Sequence, residues 1–500
     1  MTCFVTQIDG IAPPDVEEVP LLTTCVDENS AKIYSLLGEV ERFFLGINIQ
    51  DGQVSIKVPF SAIFDEKDIV FDETTSRQIT IISGGRRRRL TSSIGVKQVL
   101  IVRVSSDQEP ETSVTSSEEQ LYTDFFTDEN NLREVYRKCS NDKLILNPAT
   151  GSSVHNGVLT IKPPENICAM GWKDVGNYAV AEIASLDWSA DFKTIIMPDC
   201  VNFEGAAAWG ETPGDTTWIL SKYSSYPVTQ VHEFGHNLSH RHSGKGTSEY
   251  GDDTGYMGNK ASWTDAGSKM CFNGAKLWYF QWYSDFHRSV NPNTISYAGK
   301  LVGITDVQSG EIATDSENDV IIRLFGEAEQ LFVIFNRSES FNSQVAEGDR
   351  VTITEQANEY SVSMLKASLG EGEEYITADG SVIKNCGISY GSPYVANVII
   401  YKPGFTSAVC SDDFSSSFTT TTSSGTSVSA STSNSDINES SVSSDVNSIC
   451  SDVPYWHDSD GPAFNCAWYG AKSDRCELFG SSYSNMGFTA QTACCKCKQK

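Results

Sequence analysis

The sequence is short of several things, and each shortage excludes a class of function. Cations are scarce: 37 Lys and Arg stand against 65 Asp and Glu, a net charge of −28. Phosphates and anionic headgroups are held by clustered Lys and Arg, so neither nucleic acid nor an anionic membrane is an expected partner. The one basic run is Arg86-Arg87-Arg88-Arg89. Long apolar runs are missing too. No stretch of eighteen apolar residues occurs, so no membrane span is expected. Met1 to Pro20 has neither the basic start nor the apolar stretch of an export signal, and we expect the true start to lie further upstream. Histidine is rare, with seven in 500 residues.

Cysteine is plentiful. There are fourteen, six of them at Cys450, Cys466, Cys476, Cys494, Cys495 and Cys497. Such crowding suits disulfides in an oxidising compartment, and a zinc site there is disfavoured by irregular spacing and the lack of a nearby His pair. A module this small needs cross-links, because its core is marginal alone.

The length implies two to four domains. Residues 1–89 are acidic, with β-like segments at Phe43–Ile49 and Gln53–Val58, and end in Gly84-Gly85 and the four arginines. That exposed basic run suits a processing protease, so the segment reads as a prosegment. Residues 90–300 read as a catalytic α/β domain. Val96–Val104 is a central strand by its β-branched residues. Ser117–Cys139 is a helix capped by Ser117, with Leu121, Phe125, Leu132 and Tyr136 as its apolar stripe. Gly157–Ile161 and Lys193–Met197 are further strands. Residues 301–410 carry short β runs at Ile321–Leu324, Leu331–Phe335, Arg350–Thr354 and Tyr360–Leu365, as in a small all-β sandwich. Residues 411–449 are mostly Ser and Thr and read as a disordered linker, an O-glycosylated stalk. Asn336 and Asn438 match the N-glycan acceptor pattern. Residues 450–500 form the six-cysteine module.

Four of the seven histidines, His232, His236, His240 and His242, fall within eleven residues. Residues four apart share a helix face, so His232 and His236 aim at one point. A tetrahedral zinc accepts imidazole nitrogens at about 2.0–2.1 Å. Glu233 is too far round the helix to ligate well, and is placed to accept a proton from water. A third nitrogen is expected from His242, where the chain turns back. His240, four residues after His236, competes if the helix simply continues. Tyr226-Pro227 supplies a helix start. Tyr250–Gly258 is a glycine-bounded turn that presents Met257.

The pattern HExxHxxxxxH with a Met-bearing turn resembles the metzincin zinc peptidases. The segments HEFGHNLSHRHSG, YGDDTGYMG and CFNGAKLWYFQWY resemble the gametolysin family most closely. The likeness covers residues 95–400 and is strongest from Met197 to Trp282. It implies a metzincin-like fold with a zinc helix and Met-turn. It also implies His232, His236 and His242 as ligands of one zinc ion, Glu233 as general base, and Met257 as an apolar floor that does not ligate. The expected activity is that of a secreted zinc endopeptidase hydrolysing extracellular-matrix or cell-wall glycoproteins. The competing readings are an inactive matrix-binding protein on a peptidase fold, and a peptidase with Asp or Glu as third ligand. The family's usual glycine is replaced by Ser239. A left-handed serine costs roughly 1 kcal/mol, so a turn of another shape is a second expectation.

Other residues carry blander expectations. Cys3 and Cys25 could block zinc as thiolates, but a disulfide or a buried thiol is the expected state. His155, His287 and His457 read as ordinary histidines. Asp252 and Asp253 read as turn caps rather than calcium ligands, and calcium has no positive support. Trp278 and Trp282 read as core aromatics. The six-cysteine module loosely resembles ShK-type domains, with a role in anchoring as the expectation.

Overall fold

Four consecutive apolar positions, Val99–Val102, can be buried only where a strand is covered on both faces. The computed structural model places that strand, β2 (Gly95–Val104), inside a 13-stranded sheet. The model describes residues 93–105, 112–258, 262–308 and 318–410. It also describes shorter stretches of the first 83 residues and the surroundings of several C-terminal cysteines. Phe43–Ile49, Arg86–Arg89, the Ser/Thr stretch, Asn438 and His457 lie outside the described residues.

Beside β2 run the parallel strands Val158–Ile161 and β3 (Phe192–Met197). Next to β3 lies β5 (Thr216–Leu220), parallel to it, followed by the antiparallel β4 (Ala208–Thr212). The sheet does not end there. The antiparallel strand β1 (Thr2–Ile11) adds to β4, and Leu22–Asp27, Ile33–Gly38, Asp68–Phe71 and Ile63–Phe64 continue beyond it. Gln53–Val58 is realised as the strand Val54–Lys57, paired with β1.

The helix expected over Ser117–Cys139 is broken in two. Ser117 caps Glu118–Tyr122 as expected, accepting from Gln120 N at 3.1 Å. A π-type turn, Thr123–Thr127, then ends the run. Asn131 restarts it by accepting from Glu134 N at 2.9 Å, and α1 (Leu132–Cys139) follows. The apolar stripe is buried throughout, so the packing was legible although the break was not.

Leu331–Asn336 is buried along its whole length and faces two cores. Phe332 and Ile334 pack with Ala275 and Leu277 of the helix Gly274–Phe280. Leu331, Val333 and Phe335 point the other way, onto Tyr297, Leu301, Val398 and Ile400. This is the period of two expected of a strand. Its six-stranded sheet takes strands from Ser243–Lys245 and His287–Val290 as well as from residues beyond 320, and it shares the second core with a five-stranded sheet. The run expected over Tyr360–Leu365 starts later, as Ser363–Leu369. The protein is therefore a mixed α/β structure with several sheets and few helices. Among the described residues no helix is long and apolar enough to cross a membrane.

Disulfides join Cys139 to Cys271, Cys168 to Cys200 and Cys386 to Cys410. Cys25 is also disulfide-bonded, so it offers no thiolate to a metal. In the C-terminal unit, Cys466–Cys494 and Cys476–Cys497 cross-link a small core of Tyr469, Ala490 and Ala493. Those four cysteines are disulfides, as their clustering suggested.

Candidate metal centre

Proline at the first turn starts α3 (Pro227–Asn237), where its missing N–H is no loss. The helix is buried along its length, so its polar side chains need partners. Most have them. Gln230 donates to Ser224 O at 2.7 Å and accepts from Leu132 N at 3.1 Å, tying α3 to α1. Asn237 donates to Glu211 O and Thr216 O and accepts from Thr217 Oγ1, pinning the helix end to the β4–β5 hairpin.

The end of α3 is a Schellman turn. Ser239 N donates to His236 O at 2.9 Å, and His240 N donates to Gly235 O at 3.0 Å. Ser239 itself sits at φ 79°. The serine therefore takes the left-handed geometry that a glycine would take, and the alternative turn is not formed. The chain leaves the helix there and returns His242 towards His232 and His236.

The three rings lie with centroids 4.9, 5.0 and 5.4 Å apart. Each Nδ1 has an acceptor: Tyr256 O for His232 at 2.8 Å, His240 O for His236 at 2.7 Å, and Glu249 Oε1 for His242 at 3.0 Å. Carbonyls and carboxylates cannot donate, so the proton of each neutral ring sits on Nδ1. Each Nε2 keeps its lone pair, and all three Nε2 atoms are buried without a hydrogen-bond partner. Burial holds all three rings neutral. It lowers His232 to about 4, and it lowers His236 and His242 well below the usual range, helped by the neighbouring imidazoles. Three converging lone pairs with no proton to share fit one divalent cation.

Glu233 lies beside them. Its Oε2 is buried and unpartnered, while Oε1 accepts from Ile11 N at 3.0 Å. Burial, and then the Asp9 carboxylate, push its carboxyl well above the usual range. Gly210 of β4 makes room for it, since a Cβ there would crowd Glu233 and His236. Met257 is fully buried under the helix, and its Sδ occupies the space a Cβ on Gly235 would need. The turn that carries it is fixed by Asp252, which caps Thr254 and accepts from Asn273 at 2.9 Å.

His240 is not part of the group. Its ring packs on Phe280, with centroids 4.0 Å apart. His155 is exposed beside Glu118, and His287 stacks on Trp278. Trp282 is buried and donates to Ser93 O. Three neighbours of the site were not legible in sequence. Asp9 Oδ1 lies 3.2 Å from His242 Nε2, Glu249 orients the same ring, and Tyr250 donates to Gly10 O at 2.7 Å. Burial pushes Asp9 up to about 7, against the pull of Arg241.

Residues 98–318 match the family model of gametolysin peptidase M11. This part of the chain is similar to the gametolysin peptidase family. The match spans β2, α1, α3 and the Met257 turn, and therefore the whole histidine group. The likeness seen in the motifs is thus carried by the family model as well, and it supports a metallopeptidase. No curated protein and no solved structure matches the chain.

Proposed function

We propose that the protein is a secreted zinc endopeptidase acting on extracellular-matrix or cell-wall glycoproteins. His232, His236 and His242 would be the zinc ligands, Glu233 the general base, and Met257 the floor of a Met-turn beneath a zinc helix. The observation that carries the reading is the convergence of three buried, unprotonated Nε2 atoms beside a carboxylate with a free oxygen. Zinc bound there would supply Lewis acidity and lower the pKa of a bound water to about 7. Glu233 Oε2 would take the proton from the attacking water and return it to the leaving amide nitrogen. The three Nδ1 acceptors hold the imidazoles in the ligating tautomer, and β4 with Tyr250 walls the site.

In this reading residues 1–89 are a prosegment, 90–300 the catalytic domain and 301–410 the β domain. The linker is 411–449 and the cysteine module 450–500. The disulfides and the Ser/Thr stretch suit an oxidising, extracellular setting. The test is gelatin or casein cleavage by the full chain after trypsin treatment, with and without chelator. Chelator abolishes cleavage, and readded zinc restores it. Cleavage that persists in chelator overturns the proposal.

A further inference from the structure

One strand of the chain lies across the candidate metal centre. β1 runs antiparallel to β4, with Ile11 opposite Ala208, Gly10 opposite Trp209 and Asp9 opposite Gly210. β4 is the strand against which α3 packs Glu233, so β1 passes directly over the site. Two hydrogen bonds seat it there, and a third contact brings a carboxylate to the site. Ile11 N donates to Glu233 Oε1 at 3.0 Å, Tyr250 donates to Gly10 O at 2.7 Å, and Asp9 Oδ1 meets His242 Nε2 at 3.2 Å. Gly10 is required for this fit, because a Cβ there would overlap the Trp209 ring and the Ala208 carbonyl.

The Asp9–His242 contact has an odd chemistry. His242 Nδ1 is committed to Glu249, so Nε2 faces Asp9 with a lone pair. A carboxylate oxygen also offers only lone pairs. Two acceptors at 3.2 Å repel unless something positive lies between them, and Nε2 indeed has no hydrogen-bond partner. Asp9 is buried, its Oδ2 has Arg241 at 3.5 Å but no hydrogen bond, and its carboxylate joins His242 and Glu249 in a second cluster of ligand atoms. The two clusters share His242, and a cation on its Nε2 would turn the repulsion with Asp9 into an attraction.

We propose that β1 holds the protein latent, with the Asp9 carboxylate as fourth protein ligand of the metal and the strand's backbone occupying Glu233 and Tyr250. The proposal rests on the metal centre of the preceding reading. Four protein ligands leave no open position, which is the arrangement of a closed site rather than a catalytic one. In sequence, the four arginines fall between β1 and β2, so cutting there would turn an intramolecular strand into a dissociable one.

The test uses the full chain loaded with Co²⁺, whose visible band reports its ligands, and acetohydroxamate as a small chelating probe. Wild type should bind one Co²⁺ and leave its band unchanged on adding the probe. Asp9→Ala should shift the band itself and bind acetohydroxamate at least about tenfold more tightly, as expected when a closed state is removed. Gly10→Val, which displaces the strand without touching a ligand, should gain probe binding in the same way. Wild type that binds the probe as tightly as both variants overturns the proposal. An Asp9→Ala variant with an unshifted band overturns the ligand assignment. Failure of the metal centre itself looks different: wild type then takes up no Co²⁺, or keeps it after His232→Ala.

Discussion

Two buried carboxylates, Asp319 in the β sandwich and Asp9 in β1, show how the same burial can serve different ends. Asp319 accepts from Arg288 Nε on Oδ1 at 3.2 Å and on Oδ2 at 3.1 Å, and from Tyr297 Oη on Oδ2 at 3.0 Å, so both its oxygens face donors. Asp9 Oδ2 faces Arg241 at 3.5 Å without a hydrogen bond, and Oδ1, which accepts from Gly10 N at 3.2 Å, also faces an imidazole lone pair. The difference extends to their surroundings. The core beneath Asp319 is apolar, and unpartnered polar atoms near it, such as Arg323 Nε and Thr352 Oγ1, belong to separate strands. The site instead collects unpartnered atoms, the three Nε2, Glu233 Oε2 and Asp9 Oδ2. Unpaired buried polar atoms cost stability, so a cluster of them that points at one spot marks a place for a ligand.

The comparison can be broken at several points. The largest effect is expected from Glu233→Gln, which keeps the shape of the site and removes the base. Cleavage by the trypsin-treated chain should fall by about 10²–10⁴-fold while zinc is retained, measured as kcat/KM beside metal content. Asp319→Ala leaves Arg288 and Tyr297 without their acceptor. It should cost about 2–3 kcal/mol in denaturant unfolding, at the lower end for a buried pair because Arg288 is about a third exposed. Asp9→Asn in metal-free protein should cost less than that, because it removes a repulsion along with a charge. An equal cost for the two would erase the distinction between them.

Gly235→Ala forces a Cβ into Met257 Sδ and should destabilise by about 1–3 kcal/mol, as overpacking does. The companion change Met257→Ala should relieve part of that loss, and a double-mutant cycle measures the coupling. Ser239→Gly has the smallest expected effect and the opposite sign. Relief of the left-handed serine should stabilise the protein by about 1 kcal/mol, seen as a higher Tm. A lower Tm would mean that the serine side chain contributes more than its backbone strain costs.

The parts of the site visible in sequence are those built by local rules. Helical spacing brings His232 and His236 to one face, Pro227 starts the helix, and the glycines around Met257 shape its turn. Ser239 departed from the family's glycine yet formed the same turn, because the local strain is small beside the packing that fixes His242. The parts that were not visible depend on pairing across long separations. Asp9 reaches His242 only because β1 lies against β4. Nothing local distinguishes Asp9 from the other acidic residues of an acidic chain. The strands beyond residue 320 were legible as short β runs between turns, but Ser243–Lys245 and His287–Val290, which join the same sheet, were not, since a short strand in a parallel pair carries no turn signal. The break at Thr123–Thr127 was hidden because the apolar stripe continues through it.

In the proposed function the metal is held by His232, His236 and His242, with His240 outside the group. This is tested most directly by counting zinc per chain, by elemental analysis after exhaustive dialysis, in wild type, His242→Ala and His240→Ala. About one zinc is expected in wild type and in His240→Ala, and a loss of nearly all of it in His242→Ala. Zinc kept by His242→Ala and lost by His240→Ala would contradict it.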